Sequence, residues 1–170
     1  MRLLVTGKPG SGKTSWCRQY IYRQRKSGST VGGILSPAIE KHSKRVGSNA
    51  LDLLTGQDVP FARLSRYNPF KGGEVVGDYT ISREGISFAC EAIKQAVESR
   101  CDLVVIDEFG PLELFGGGLL PAVELALGSP ADVLIVVRSS LKEALKKHFA
   151  GYEFVVVADL AQPDQICPSL

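Results

Sequence analysis

The apolar stretch Leu3-Leu4-Val5 runs into Gly7-Lys8-Pro9-Gly10-Ser11-Gly12-Lys13-Thr14, and a helical run over 13–26 follows at once. A strand that ends in a glycine-rich turn and restarts as a helix points to a βα unit, in which the helix packs back on the sheet. The spacing is G-x-x-x-x-G-K-[ST], the phosphate-binding P-loop or Walker A pattern. Each residue type has its own reason. Gly7, Gly10 and Gly12 let the backbone turn tightly, so that successive N–H groups converge on an anion. The helix adds the positive end of its dipole at the same spot. Lys13 has the length to reach β- and γ-phosphates, and the Thr14 hydroxyl is a hard oxygen ligand suited to Mg²⁺.

The rest of the chain alternates strand and helix. Trp16, Cys17, Tyr20 and Ile21 share one face of the first helix, and Gly28 stops it. Ile86, Ala89, Ile93, Ala96 and Val97 predict a helix over 84–99. Leu103-Val104-Val105-Ile106 is a near-continuous apolar run, the signature of a parallel strand buried on both faces. Residues 132–137 repeat that signature, residues 153–157 predict a last strand, and helices are expected over 119–127 and 140–149. This is an α/β chain with a parallel sheet. One part departs from the alternation. Residues 31–37 and 46–54 read as two strands around the polar segment AIEKHSKR, an inserted antiparallel hairpin. Its tip carries His42, Lys44 and Arg45; a solvated turn is the expectation, and a flap over a bound nucleotide the alternative. Residues 59–64 predict a short strand, 75–81 a strand or irregular chain, and 109–118 a glycine-rich loop. With no internal repeat and no long linker, residues 1–170 are expected to form a single domain, with the hairpin insertion at about 31–54.

A P-loop needs an acidic partner at a strand end. Asp107 ends the buried run 103–106, at the carboxyl edge where open α/β sheets place ligands, and Glu108 follows it. This is a Walker B pattern: Asp107 is expected to help hold the metal, and Glu108 to orient or deprotonate the attacking water. A further positive charge at the γ-phosphate would come from Arg45, Arg63, Arg66, Arg83 or Arg138, of which Arg138 ends the strand after Asp107. The chain has no N-K-x-D run of the kind that reads guanine.

Bulk properties narrow the rest. A formal net charge of +2 is too mild to argue for nucleic acid or an anionic membrane. No apolar run reaches the ~18 residues of a membrane span, and MRLLVTG does not read as a signal peptide. Cys17, Cys90, Cys101 and Cys167 form no C-x-x-C pair, so a reduced, cytoplasmic setting is expected, with Cys17 and Cys90 as small buried hydrophobes. His42 and His148 are isolated, and neither is expected to be catalytic.

The segments GKPGSGKT, KRVGSNALDLLTG, VGDYTISREGISFACEAI and VVIDEFGPLEL, in that order, resemble the THEP1-type nucleoside-triphosphatases, and VVVADLAQPDQICPSL resembles their closing strand and tail. The resemblance covers nearly the whole chain. It implies a RecA/kinase-like P-loop fold and slow, Mg²⁺-dependent hydrolysis of several nucleoside triphosphates: ATP, GTP, and CTP and UTP as further substrates. It implies nucleotide binding by Gly7, Lys8, Pro9, Gly10, Ser11, Gly12, Lys13 and Thr14. A second binding segment would be Leu103, Val104, Val105, Ile106, Asp107, Glu108, Phe109 and Gly110. Thr14 and Asp107 would hold Mg²⁺; Lys13 and Glu108 would be catalytic; Arg45 matches a basic position of the family's hairpin and gains weight as a γ-phosphate contact. Pro111 stands where the family usually has lysine, and Ile34 follows Gly33 where an aromatic is usual. Two alternatives stay open: a small-molecule or nucleotide kinase, and a nucleotide-switched adapter resembling the molybdenum-cofactor GTPases. The 139–149 helix, with Lys142, Lys146 and Lys147 but no arginine cluster, argues against the kinase. Oligomeric state is not readable from the sequence.

Overall fold

The computed structural model of the chain describes residues 1–160; the tail and Cys167 lie outside them. Five strands form the parallel half of one sheet: β1 (Arg2–Gly7), β2 (Val31–Leu35), β8 (Leu103–Phe109), β9 (Asp132–Arg138) and β10 (Val155–Asp159). The sheet then continues through β4 (Lys44–Asp52), β5 (Asp58–Leu64), β7 (Tyr79–Ile81) and β6 (Glu74–Val76), all antiparallel, with β3 (Ala38–Lys41) paired on β4. The full order is β10-β1-β9-β8-β2-β4-β5-β7-β6.

The continuous apolar runs follow from burial on both faces. Because the side-chain period of a strand is two, Leu3, Val5, Leu103, Val105, Leu134 and Val136 pack with Cys17 and Ile21 of α1 (Lys13–Lys26). Leu4, Val104, Ile106, Val133 and Ile135 point the other way. They pack with Ala89, Ile93 and Ala96 of α2 (Arg83–Glu98) and with Val123 and Leu127 of α4 (Leu120–Leu127). Trp16 and Tyr20 stack on each other at 5.1 Å and lean on the first cluster. Cys17 and Cys101 are buried and Cys90 half-buried; all three are free thiols. Among the described residues no helix is long and apolar enough to cross a membrane.

The insertion differs from its expected form. The predicted solvated tip is itself a hairpin, β3 and the start of β4, turned through His42 and Ser43, both with positive φ (50° and 59°). Two consecutive left-handed residues make a tight hairpin turn whose twist suits the flanking strands, and backbone pairing of that kind needs no apolar residues. The predicted partners pair in register where Ile34 faces Asp52 and Leu35 faces Leu51, and Asn49 N–H donates to the Pro37 carbonyl and Leu53 N–H to the Gly33 carbonyl on either side. Residues 75–81 belong to a two-stranded unit turning at Gly77-Asp78, and the 109–118 loop contains a one-turn helix, α3 (Pro111–Leu114). The expected 140–149 helix is a short turn followed by α5 (Lys142–His148); Leu145 and Phe149 are buried, but Ala144 and His148 are exposed.

Candidate active site

Strand order brings the site together. β9 lies between β1 and β8, so the Walker B strand is not hydrogen-bonded to the Walker A strand. The two motifs meet instead through the first turn of α1, where the Thr14 hydroxyl donates to Asp107 Oδ2 at 2.8 Å.

The loop itself is shaped by its glycines. Gly10 and Gly12 hold φ of 77° and 88°, values that L side chains rarely adopt. Gly7 is limited by space instead: a Cβ there would stand 2.4 Å from Ser11 Oγ. No side chain caps Gly12 and no acid sits in the first turn of α1, which leaves its leading N–H groups open to an anion. The buried Ser11 hydroxyl has no hydrogen-bond partner among the described residues. Lys13 is buried, and its ammonium donates to the carbonyls of Lys8 (3.0 Å) and Gly7 (3.2 Å). Burial lowers its pKa. Glu108 and Asp107 act in the opposite direction, while Arg138 and Arg45 reinforce the lowering. Both arginines are therefore within electrostatic reach of Lys13.

Asp107 is fully buried, and burial pushes its carboxyl above the ordinary carboxylate range. Its Oδ2 also accepts the backbone N–H of Ser36 at 3.0 Å, and the Ser36 hydroxyl donates to the Asp107 carbonyl. Ser36 was not singled out from the sequence. Its position just past β2, the strand beside β8, was the available signal. Glu108 is half-buried and accepts from Arg138 Nε at 2.8 Å. The side chains of Leu103, Val104, Val105 and Ile106 lie in the sheet core, and Phe109 is buried edge-on to Phe149 at 5.8 Å. Asp107 and Glu108 are thus the side chains of the 103–110 run that face the loop.

Glu113 is the second site-supporting residue the sequence did not identify, although it stands in the motif run VVIDEFGPLEL. It is buried, with Oε2 accepting Gly110 N–H (2.8 Å) and Oε1 accepting Leu119 N–H (3.0 Å). One side chain thereby ties the chain leaving β8 to the start of α4. Burial raises its pKa, and the two backbone N–H bonds oppose that shift.

The candidate arginines separate. Arg63 is committed to Ser48 and Ala62 carbonyls (2.8 Å each) and Asn49 Oδ1 (3.1 Å), and lies over the Phe70 ring. Arg66 lies over Tyr67, and Arg83 opens α2. Arg45 is exposed on β4, and among the described residues it bonds only through Nε to the Gly47 carbonyl at 3.4 Å. Among the described residues no group of three or more His, Cys, Asp or Glu side chains could hold a metal.

The sequence profile of a family described as NTPase matches residues 2–164. Curated relatives named nucleoside-triphosphatase THEP1 include one from Methanosarcina acetivorans, 33% identical over 168 residues (98% of this chain, 92% of the relative). Another, from Methanopyrus kandleri, is 34% identical over 135 residues (79% and 72%). Among solved structures, THEP1 from Aquifex aeolicus superposes with a TM-score of 0.72 at 21% identity, covering 98% of this chain and 94% of that one. A human cancer-related nucleoside triphosphatase gives 0.69 at 24%, covering 93% and 87%.

Proposed function

The chain belongs to the NTPase family and is a nucleoside-triphosphatase, and from that premise we propose that it hydrolyses the γ-phosphate of ATP, GTP and further nucleoside triphosphates in an Mg²⁺-dependent reaction at the site built from residues 7–14, Asp107 and Glu108. The observation that carries this is the Thr14–Asp107 contact of 2.8 Å, with Lys13 and Glu108 one residue away on either side of it.

The residues suit the metal. A hydroxyl and one buried carboxylate oxygen already share a hydrogen bond, and a cation at that position would offset the cost of burying Asp107. Two protein ligands are enough for Mg²⁺, which keeps waters and takes phosphate oxygens as its other ligands. Held by Thr14 and Asp107, Mg²⁺ would supply charge neutralisation to the phosphoryl oxygens. The open N–H groups of the loop and α1 hold the phosphates, and Lys13 trades its two carbonyl contacts for phosphoryl oxygens. Glu108 orients a water and takes its proton as the water oxygen attacks the γ-phosphorus; the bond to the β–γ bridging oxygen breaks, releasing nucleoside diphosphate and inorganic phosphate. Arg45 reaches the γ-phosphate from β4. The unbroken sheet from β10 to β6 supports residues 1–170 as one domain.

The test is phosphate release from ATP, GTP, CTP and UTP with Mg²⁺ and no acceptor, comparing the natural chain with Glu108→Gln. Release from several of them, and a variant that binds but does not turn over, is the expected result. Binding without release in the natural chain would instead make it a kinase or a nucleotide switch.

A further inference from the structure

Arg138 does two things that converge. Its Cα is in register with Gly7, the first glycine of the phosphate loop, because β9 pairs directly with β1. Its Nε donates to Glu108 Oε1 at 2.8 Å, because β9 pairs on its other side with β8. The guanidinium thus stands at the carboxyl edge of the strand between the two motifs. Its two terminal nitrogens make no hydrogen bond among the described residues, and its side chain is 42% exposed. A guanidinium is a rigid, planar set of five donors, so one edge can hold a carboxylate while the other binds an oxyanion. Lysine has a single compact ammonium and cannot span two such groups in a fixed geometry.

We infer that Arg138 bridges Glu108 and the terminal phosphate: Nε holds the carboxylate while the free terminal nitrogens donate to γ-phosphoryl oxygens. The inference rests on the hydrolase function proposed above and adds a residue that ties Glu108's placement to the presence of a third phosphate. A diphosphate leaves the outer edge of the guanidinium unfilled. A triphosphate fills it, fixing Arg138 and, through Nε, the carboxylate that positions the water. Arg45 approaches the same charge from the exposed start of β4, and its one hydrogen bond among the described residues is to the Gly47 carbonyl.

The experiment uses the full chain and two readouts. Calorimetry with Mg²⁺ gives the affinity for ADP and for the non-hydrolysable β,γ-imido analogue of ATP; phosphate release gives kcat and KM. In Arg138→Met the preference for the triphosphate analogue over ADP is expected to fall about tenfold, as loss of a charge-assisted contact to one phosphate predicts, with ADP affinity held within about twofold. In the same variant kcat is expected to fall about a hundredfold. Arg138→Lys is expected to recover much of the triphosphate preference but little of kcat, since it restores charge without the bridge. An unchanged preference in Arg138→Met overturns the inference, and so does full recovery of kcat in Arg138→Lys. If Arg138→Met does not fold, the split between preference and kcat in Arg138→Lys decides. Failure of the natural chain to release phosphate would sink the hydrolase proposal; the binding ratio, which needs no turnover, still judges Arg138 separately.

Discussion

The two halves of the sheet do different work. In the parallel half, from β10 to β2, the four inner strands β1, β9, β8 and β2 are covered on both faces, and the strands run in one direction, so all carboxyl ends open onto the same edge. The phosphate loop, Ser36, Asp107, Glu108 and Arg138 sit along that edge. The antiparallel half, from β4 to β6, has Val75 72% exposed and Tyr67 62% exposed near its far end, and it contributes one charged side chain, Arg45, within electrostatic reach of Lys13. Rigid burial thus holds the residues whose spacing matters to the chemistry. The lightly covered extension presents a charge whose spacing is less constrained.

The largest expected effect breaks the chemistry at the parallel edge. Lys13→Ala removes the buried ammonium from the phosphate loop and should lower phosphate release by roughly a thousandfold; turnover near that of the natural chain would remove Lys13 from the mechanism. Next is packing. Ile106→Ala, at a fully buried position of β8, should cost about 3–5 kcal/mol in denaturant unfolding. Val75→Ala in β6 should stay within ~0.5 kcal/mol, and equal costs would erase the contrast between the halves.

Glu113 tests whether the support behind the catalytic strand is as tightly made as the strand. Glu113→Gln exchanges one acceptor for a donor facing a backbone N–H and should cost about 1–3 kcal/mol. A pH series sharpens the point. Burial holds the folded carboxyl above its ordinary 4.5. The unfolded chain therefore loses this proton first, and the residue's contribution is complete below about pH 4.5 and is lost as pH rises through the folded value. Stability of the natural chain should then fall more steeply than that of Glu113→Gln as pH rises above about 4.5; parallel curves would show that Glu113 does not titrate abnormally. The smallest effect belongs to the extension: Arg45→Ala should lower kcat/KM about tenfold with unfolding unchanged within ~0.5 kcal/mol. A loss as large as that of Lys13→Ala would make the extension a full partner in the site.

Much of this was legible in the sequence, for identifiable reasons. A strand buried on both faces has to be apolar at nearly every position, so β8 and β9 stand out from Leu103–Ile106 and from 132–137. Helix α2 is visible because its buried residues recur at helical spacing. The hairpin tip reads as a turn because Glu40, Lys41, Lys44 and Arg45 pair through their backbones while their side chains are exposed, and composition alone makes such a segment look like a turn. Ser36 escaped notice because a backbone N–H does its work, and any residue type has one. Glu113 escaped because its partners are the N–H groups of Gly110 and Leu119, three and six residues away, which meet it only once α3 has turned the chain back.

What the sequence determined by itself is local: the phosphate loop, whose shape depends on glycines a few residues apart, and an acidic pair at the end of a buried strand. What the tertiary structure alone decided is adjacency. Strand order is set by long-range pairing that leaves no trace in any one segment, and here it places β9 between β1 and β8. That single choice puts Arg138 beside Gly7 on one side and against Glu108 on the other, joining two motifs that lie about a hundred residues apart in the chain.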